Sequence, residues 1–178
     1  MKIKRPLYLD SLNIISIFLL PFSAITYVVN LIKNISNKKR FKIKTICVGN
    51  IYLGGTGKTP LILKINKFIN KKYKTVIIKK NYKDQKDEQS ILKKNGDLIC
   101  LENRTDALKH AEKKNYDIAL LDDGLQDKTI NYDISIVCFN SSEAIGNSFL
   151  IPAGPLRERL NEIKNYDVVF LNGEKNNI

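Results

Sequence analysis

Gly54-Gly55-Thr56-Gly57-Lys58-Thr59 stands between an apolar run, Thr45–Val48, and a helical pattern that opens at Lys58. Residues of these types at this spacing hold phosphate. Glycines let consecutive backbone N–H groups turn inward around an anion. The helix that follows aims its N-terminal N–H groups and dipole at the same charge. Lys58 can reach terminal phosphates, and the Thr59 hydroxyl can ligate the Mg²⁺ that accompanies ATP. The strict pattern wants a glycine five places before Gly57, where Tyr52 stands; the nearest upstream glycine is Gly49. The candidate ATP-binding stretch is therefore Tyr52, Leu53, Gly54, Gly55, Thr56, Gly57, Lys58 and Thr59. Pro60 fits, because proline is tolerated in a first helical turn.

Three further groups have chemistry to offer. Asp122 and Asp123 close an apolar run and precede Gly124. A phosphate-loop enzyme needs its second Mg²⁺ contact at such a strand end. Asp-Gly alone also makes turns, but a second aspartate before it is harder to explain that way. Asp87 and Glu88 lie in a polar stretch and can supply a general base for a substrate hydroxyl. Pro152-Ala153-Gly154-Pro155-Leu156-Arg157-Glu158 reads as a rigid turn leading into a helix, with Arg157 able to clamp a phosphate.

The elements that must position these groups alternate. Strands are expected over Ile43–Val48, Thr75–Ile78, Leu98–Leu101, Ile118–Leu121, Ile134–Phe139 and Val168–Leu171. Helices are expected over Leu61–Phe68 and Thr105–Lys114, and Tyr82–Ser90 reads as polar loop. Strand–helix alternation implies an α/β fold of the P-loop NTPase type, a mostly parallel sheet flanked by helices. Ligands bind such sheets at the carboxyl ends of the strands, where the glycine loop and the aspartate pair lie.

Before that core, no charge interrupts the run from Ser11 to Ile32. About 22 helical residues would reach about 33 Å, enough for a bilayer. Asn13, Ser16, Pro21, Ser23, Thr26 and Asn30 interrupt its apolar character, and Pro21 is expected to kink or break the helix. Lys2, Lys4 and Arg5 precede it; Lys33, Lys38, Lys39 and Arg40 follow. Three placements fit: a helix in the membrane interface, a span, or a buried hairpin. The expected division is residues 1–40, apolar and membrane-associated, and residues 41–178, the P-loop core.

The 178 residues carry a net charge of +12, which suits an anionic membrane surface or a phosphorylated substrate. The arginines Arg5, Arg40, Arg104, Arg157 and Arg159 form no cluster with aromatics, which argues against nucleic acid. Cys47, Cys100 and Cys138 are widely spaced and odd in number, which argues for a reducing compartment and against disulfides or zinc. His110 stands alone and reads as a surface residue.

Val48-Gly49-Asn50, Gly54–Pro60, Asp122-Asp123-Gly124-Leu125-Gln126 and Pro152–Glu158 occur in this order after the apolar helix. Together they resemble the tetraacyldisaccharide 4'-kinases, the lipid A 4'-kinase family, from the N-terminal helix to about Asn172. The resemblance implies an ATP-dependent kinase at the cytoplasmic face of the inner membrane. Its partner there would be the 4' hydroxyl of a lipid A disaccharide precursor. It implies that Lys58 and Thr59 serve ATP and Mg²⁺, that Asp122 and Asp123 serve the metal, and that Asp87, in Lys86-Asp87-Glu88-Gln89, is the base. The family's Ser-Arg-Gly-Tyr-Gly is here Lys79-Lys80-Asn81-Tyr82-Lys83, and its His after the Asp-Asp-Gly-x-Gln motif is Asp127. The family is nearly twice this length, so the expectation is a fragment or a shortened member, with an apolar face or open edge exposed near Val168–Leu171. The rival expectation is a catalytically reduced nucleotide-binding module at the membrane.

Overall fold

The computed structural model describes residues 6–35, 37–81, 86–141 and 145–173. A 3₁₀ turn, Leu7–Leu9, precedes helix α1, Ile14–Asn34. Then come β1 (Lys44–Gly49), α2 (Lys58–Ile69), β2 (Thr75–Lys80), α3 (Lys86–Lys94) and β3 (Leu98–Leu101). They are followed by α4 (Arg104–Lys113), β4 (Ile118–Asp122), β5 (Ile134–Asn140), a 3₁₀ helix (Leu160–Asn165) and β6 (Val168–Asn172). The hydrogen-bonded strand order is β3-β2-β4-β1-β5-β6, and the pairs β1–β4, β2–β4 and β2–β3 are parallel. Each expected strand is present to within two residues, and the fold is the expected α/β one.

The chain forms two compact units: residues 38–49 with 58–136, and residues 1–37 with 50–57 and 137–178. In the first, α2 packs on β1 and β4, and α4 on β2 and β3. Strands covered on both faces read as unbroken apolar runs, and Val76, Ile77, Ile78, Ala119, Leu120 and Leu121 are fully buried. Ile62, Leu92, Leu108 and Ala111 supply the helical side of this core. Asn66, a polar residue buried on α2, accepts from the Thr75 hydroxyl at 2.7 Å and donates to the Asn95 carbonyl at 3.1 Å. It thereby ties α2 to β2 and to the end of α3. Asp133 braces the start of β1 by accepting from the Thr45 N–H and hydroxyl at 2.8 and 2.9 Å.

Two local expectations fail here. The polar stretch Tyr82–Ser90 is not all loop: α3 begins at Lys86, while Tyr82–Gln85 lie outside the described residues. Asp87 and Glu88 sit in its first turn and Lys93 and Lys94 in its last, which complements the helix dipole. Leu92 anchors it in the core. And the break allowed for at Pro21 does not occur: α1 is one helix of 21 residues in which Pro21 removes one N–H.

In the second unit α1 is inverted relative to a soluble amphipathic helix. Its buried residues are Ser16 and Ser23, whereas Ile14, Phe18, Phe22, Ile25 and Ile32 are more than half exposed. Ser23 and Thr26 donate their hydroxyls to the Leu150 and Ile151 carbonyls at 2.7 and 2.6 Å. Asn30 donates to the Arg157 carbonyl at 2.8 Å. The polar residues that read as interruptions are the docking stripe. The basic residues expected before the helix, Lys2, Lys4 and Arg5, lie outside the described residues. β6 is at a sheet edge with Val168, Val169 and Leu171 exposed, as expected.

Candidate active site

The loop belongs to the second unit. Gly54 and Gly57 adopt φ of 143° and 83°, conformations that L side chains rarely take. A Cβ on Gly57 would also meet Asn172 Nδ2 at 2.5 Å, whereas one on Gly55 would enter open space. The Asn50 amide donates to the Tyr52 carbonyl at 2.7 Å, and Asn140 donates to the Gly55 carbonyl at 3.1 Å. The Thr56 hydroxyl is buried and has no hydrogen-bond partner. The Tyr52 and Gly55 carbonyls are thus occupied and the Thr56 hydroxyl is left over, which suits a loop that binds an anion.

Tyr52, in the place of the strict motif's glycine, is a packing residue. It is fully buried, 5.6 Å from the Phe139 ring, and its hydroxyl accepts from the Asn140 N–H at 2.8 Å. The Leu53 N–H is spent on the Pro155 carbonyl at 2.8 Å. The Pro152–Glu158 segment is what this loop is built against: the Arg157 N–H donates to the Ile51 carbonyl at 2.7 Å. Buried Glu158 accepts from the Tyr166 hydroxyl at 2.7 Å. The segment leads into a 3₁₀ helix rather than an α-helix. Arg157 is half-buried, its backbone held at both N–H and carbonyl.

The acidic group belongs to the first unit. Lys58 and Thr59 open α2. Lys58 Nζ lies 3.8 Å from Asp123 Oδ1. Asp122 ends β4, level with Val48 on β1 and Lys79 on β2. Lys79, itself buried, donates to Asp122 Oδ2 at 2.7 Å and to Glu88 Oε2 at 2.6 Å. Asp122 Oδ1 is buried with no hydrogen-bond partner. Burial pushes the Asp122 carboxyl above its ordinary pKa, against the pull of the Lys79 and Lys58 ammonium groups. Burial also works against the Lys79 ammonium, but the Asp122 and Glu88 carboxylates outweigh it and hold its pKa up. Asp87 is exposed in the first turn of α3, next to Glu88.

The aspartate pair is set by its own glycine, by the end of β1 and by Arg104, which carries no motif. Asp123 takes a left-handed φ of 55°, and its N–H donates to the Val48 carbonyl at 2.8 Å. Arg104, buried at the start of α4, donates to the Asp123 carbonyl at 2.7 Å and reaches Asp127 at 3.9 Å. Gly124 is required for close approach, since a Cβ there would meet Cys47 Sγ at 2.8 Å. Burial pushes the Cys47 thiol far up, so it packs rather than reacts. Lys79 and Arg104 escaped the sequence reading because a lysine within an apolar strand and an arginine at a helix start have no spacing signature. Lys79 did carry one signal, a charge placed directly after the apolar run Val76–Ile78 and inside the strand.

The donor set fits Mg²⁺, which takes hard oxygen ligands. Asp122 Oδ1 is an unspent buried carboxylate oxygen, and Asp123 and the Thr59 hydroxyl share the unit. The loop's open Gly55 and leftover Thr56 hydroxyl fit a bound phosphate.

Residues 15–178 match the family model of tetraacyldisaccharide-1-P 4'-kinase. The chain is 47% identical over 181 residues to the tetraacyldisaccharide 4'-kinase of Pelagibacter ubique, covering all of this chain and 58% of that one. It is 33% identical over 189 residues to the Rickettsia felis enzyme of the same name, covering 96% of this chain and 58% of that one. The chain thus spans rather more than half the length of these relatives. Its fold is similar to that of LpxK from Aquifex aeolicus, a crystal structure described as in complex with ATP, with a TM-score of 0.79 at 24% identity. That likeness covers 89% of this chain and 59% of the other. With the family model matched over residues 15–178 and a relative 47% identical over the whole chain, the chain belongs to the tetraacyldisaccharide-1-P 4'-kinase family.

Proposed function

We propose that this chain carries the nucleotide-binding part of an ATP-dependent kinase. Its acceptor is the 4' hydroxyl of a tetraacyldisaccharide 1-phosphate precursor of lipid A. The observation that carries the reading is the unspent Asp122 oxygen beside Asp123, whose carboxylate lies within reach of Lys58 at the mouth of α2. Gly54 to Thr59 bind the ATP phosphates through backbone N–H groups, and Lys58 swings from Asp123 onto the terminal phosphate. Asp122, Asp123 and Thr59 hold Mg²⁺, which when bound neutralises charge on the transferred phosphoryl group. Asp87 takes the proton of the acceptor hydroxyl from an exposed, water-accessible position. Arg157 is the proposed contact to the anionic substrate.

The exposed apolar face of α1 supports docking on the cytoplasmic face of the inner membrane, where the flanking basic residues meet anionic lipid. A helix whose polar stripe is spent on its own protein lies in the interface with its apolar side down.

The test is direct binding of Mg-ATP to the 178-residue chain, followed by turnover on the lipid disaccharide. Binding with turnover is the expected result for the kinase. Binding without turnover identifies the rival nucleotide-binding module, and no binding of Mg-ATP refutes both.

A further inference from the structure

Lys79 is a buried cation of the first unit, set between two carboxylates, that the proposed chemistry leaves unused. Its ammonium sits 2.7 Å from Asp122 Oδ2 and 2.6 Å from Glu88 Oε2. Its side chain is 5% exposed and that of Asp122 1% exposed, so water screens this charge little. The register of β2 against β4 places Lys79 level with Asp122, so its position is fixed by sheet pairing and not by a mobile loop. Asp122 is thereby divided: Oδ2 is committed to the ammonium, and Oδ1 is buried without a partner. Glu88, half exposed on α3, has its near oxygen committed to the same ammonium.

We infer that Lys79 is a built-in cation that fills the position between Asp122 and Glu88 and so limits this carboxylate set to a single divalent ion, held on the Asp122 Oδ1 side. The inference deepens the kinase reading and rests on its assignment of Asp122 to the metal. A divalent ion cannot share the space between two oxygens each about one hydrogen bond from an ammonium. At these separations the repulsion between unit charges is already large at a protein-like dielectric. Glu88 is on this account a partner of Lys79 and not a metal ligand. Lys79 acts through Asp122 and is a positioning residue.

The experiment titrates Mn²⁺ alone into the full chain and counts bound ion by electron paramagnetic resonance. Lys79→Ser should bind Mn²⁺ at least about tenfold more tightly than the parent, or take a second ion, because both carboxylates are released. Lys79→Arg, which keeps the charge, should bind like the parent; a structural role alone would not separate these two variants. Equal Mn²⁺ affinity and stoichiometry in the parent and Lys79→Ser overturns the inference. Should Lys79→Ser fail to fold, Glu88→Gln decides, since Glu88 is half exposed and tolerates the change. Mn²⁺ affinity within about twofold of the parent supports the inference, and a loss of about tenfold or more makes Glu88 a ligand and overturns it. A parallel titration of the parent with an ATP analogue separates the failure of this inference from failure of the nucleotide reading.

Discussion

Replacing Lys58 by alanine tests the phosphate loop at its least ambiguous atom. In the folded chain the Lys58 side chain is 18% exposed and its Nζ stands 3.8 Å from Asp123, at the outer limit of an ion pair. Such a pair contributes within about 1 kcal/mol to stability. The variant should therefore keep the parent's circular dichroism and lose little in denaturant midpoint. Bound nucleotide is a different matter. A charge-assisted hydrogen bond to a terminal phosphate is worth about 1.5–3 kcal/mol. At about 1.4 kcal/mol per decade, Mg-ATP affinity should fall between about tenfold and about a hundredfold. Calorimetric titration of both proteins at low and high salt reads this directly, and the difference should narrow as salt screens the contact. A Lys58→Ala protein that is folded and binds Mg-ATP as tightly as the parent refutes the placement of the phosphates on α2.

Asp87→Asn should leave Mg-ATP affinity near the parent's and lower turnover on lipid disaccharide about 10²–10⁴-fold, by steady-state assay. An unchanged rate removes Asp87 as the base. Arg104→Leu should destabilise by about 1.5–3 kcal/mol in urea unfolding, since it strips the bond to the Asp123 carbonyl. It should also weaken Mg-ATP binding by relaxing the aspartate turn. Phe18→Asp with Ile25→Asp, both on the exposed face of α1, should release the chain from anionic vesicles without changing its midpoint. Co-sedimentation equal to the parent's refutes the membrane face. Asp133 has its pKa lowered: burial opposes this, but bonds from Thr45 and the charge of Lys44 prevail. Its contribution is therefore present above the ordinary value of 3.8 and lost as pH falls through the lower folded value. Asp133→Asn should cost stability at pH 7, and the gap to the parent should close below about pH 4 in thermal melts.

What the sequence announced and what it hid separate along one physical line. Motifs whose function is carried by backbone were legible. Gly54 and Gly57 are glycines because of φ, and Gly124 because of Cys47, and such constraints admit few other residues. The strands were legible because burial on both faces forces unbroken apolar runs such as Thr75–Ile78. Residues that work through one long side chain were not. Lys79 and Arg104 differ in sequence from any surface cation only by what the fold puts beside them. Helix α3 was hidden because, among its described side chains, Leu92 alone is deeply buried; its signal was the order of charges, acid first and base last.

α1 shows the same line from the other side. Read with the rule that apolar residues go inside, Ser16, Ser23, Thr26 and Asn30 look like faults in an apolar helix. They recur at intervals of seven, three and four, which is one helical face. That face is where a protein surface rich in turn carbonyls needs donors, and Leu150, Ile151 and Arg157 each receive one. The carbonyls are those of the very segment that fixes Leu53 and Ile51 at the base of the glycine loop. The helix that offers its apolar side outward therefore also braces the backbone from which the phosphate loop springs. Periodicity applied to the polar residues, instead of to the apolar ones, reads this helix: a face spent on protein, and an apolar remainder left exposed.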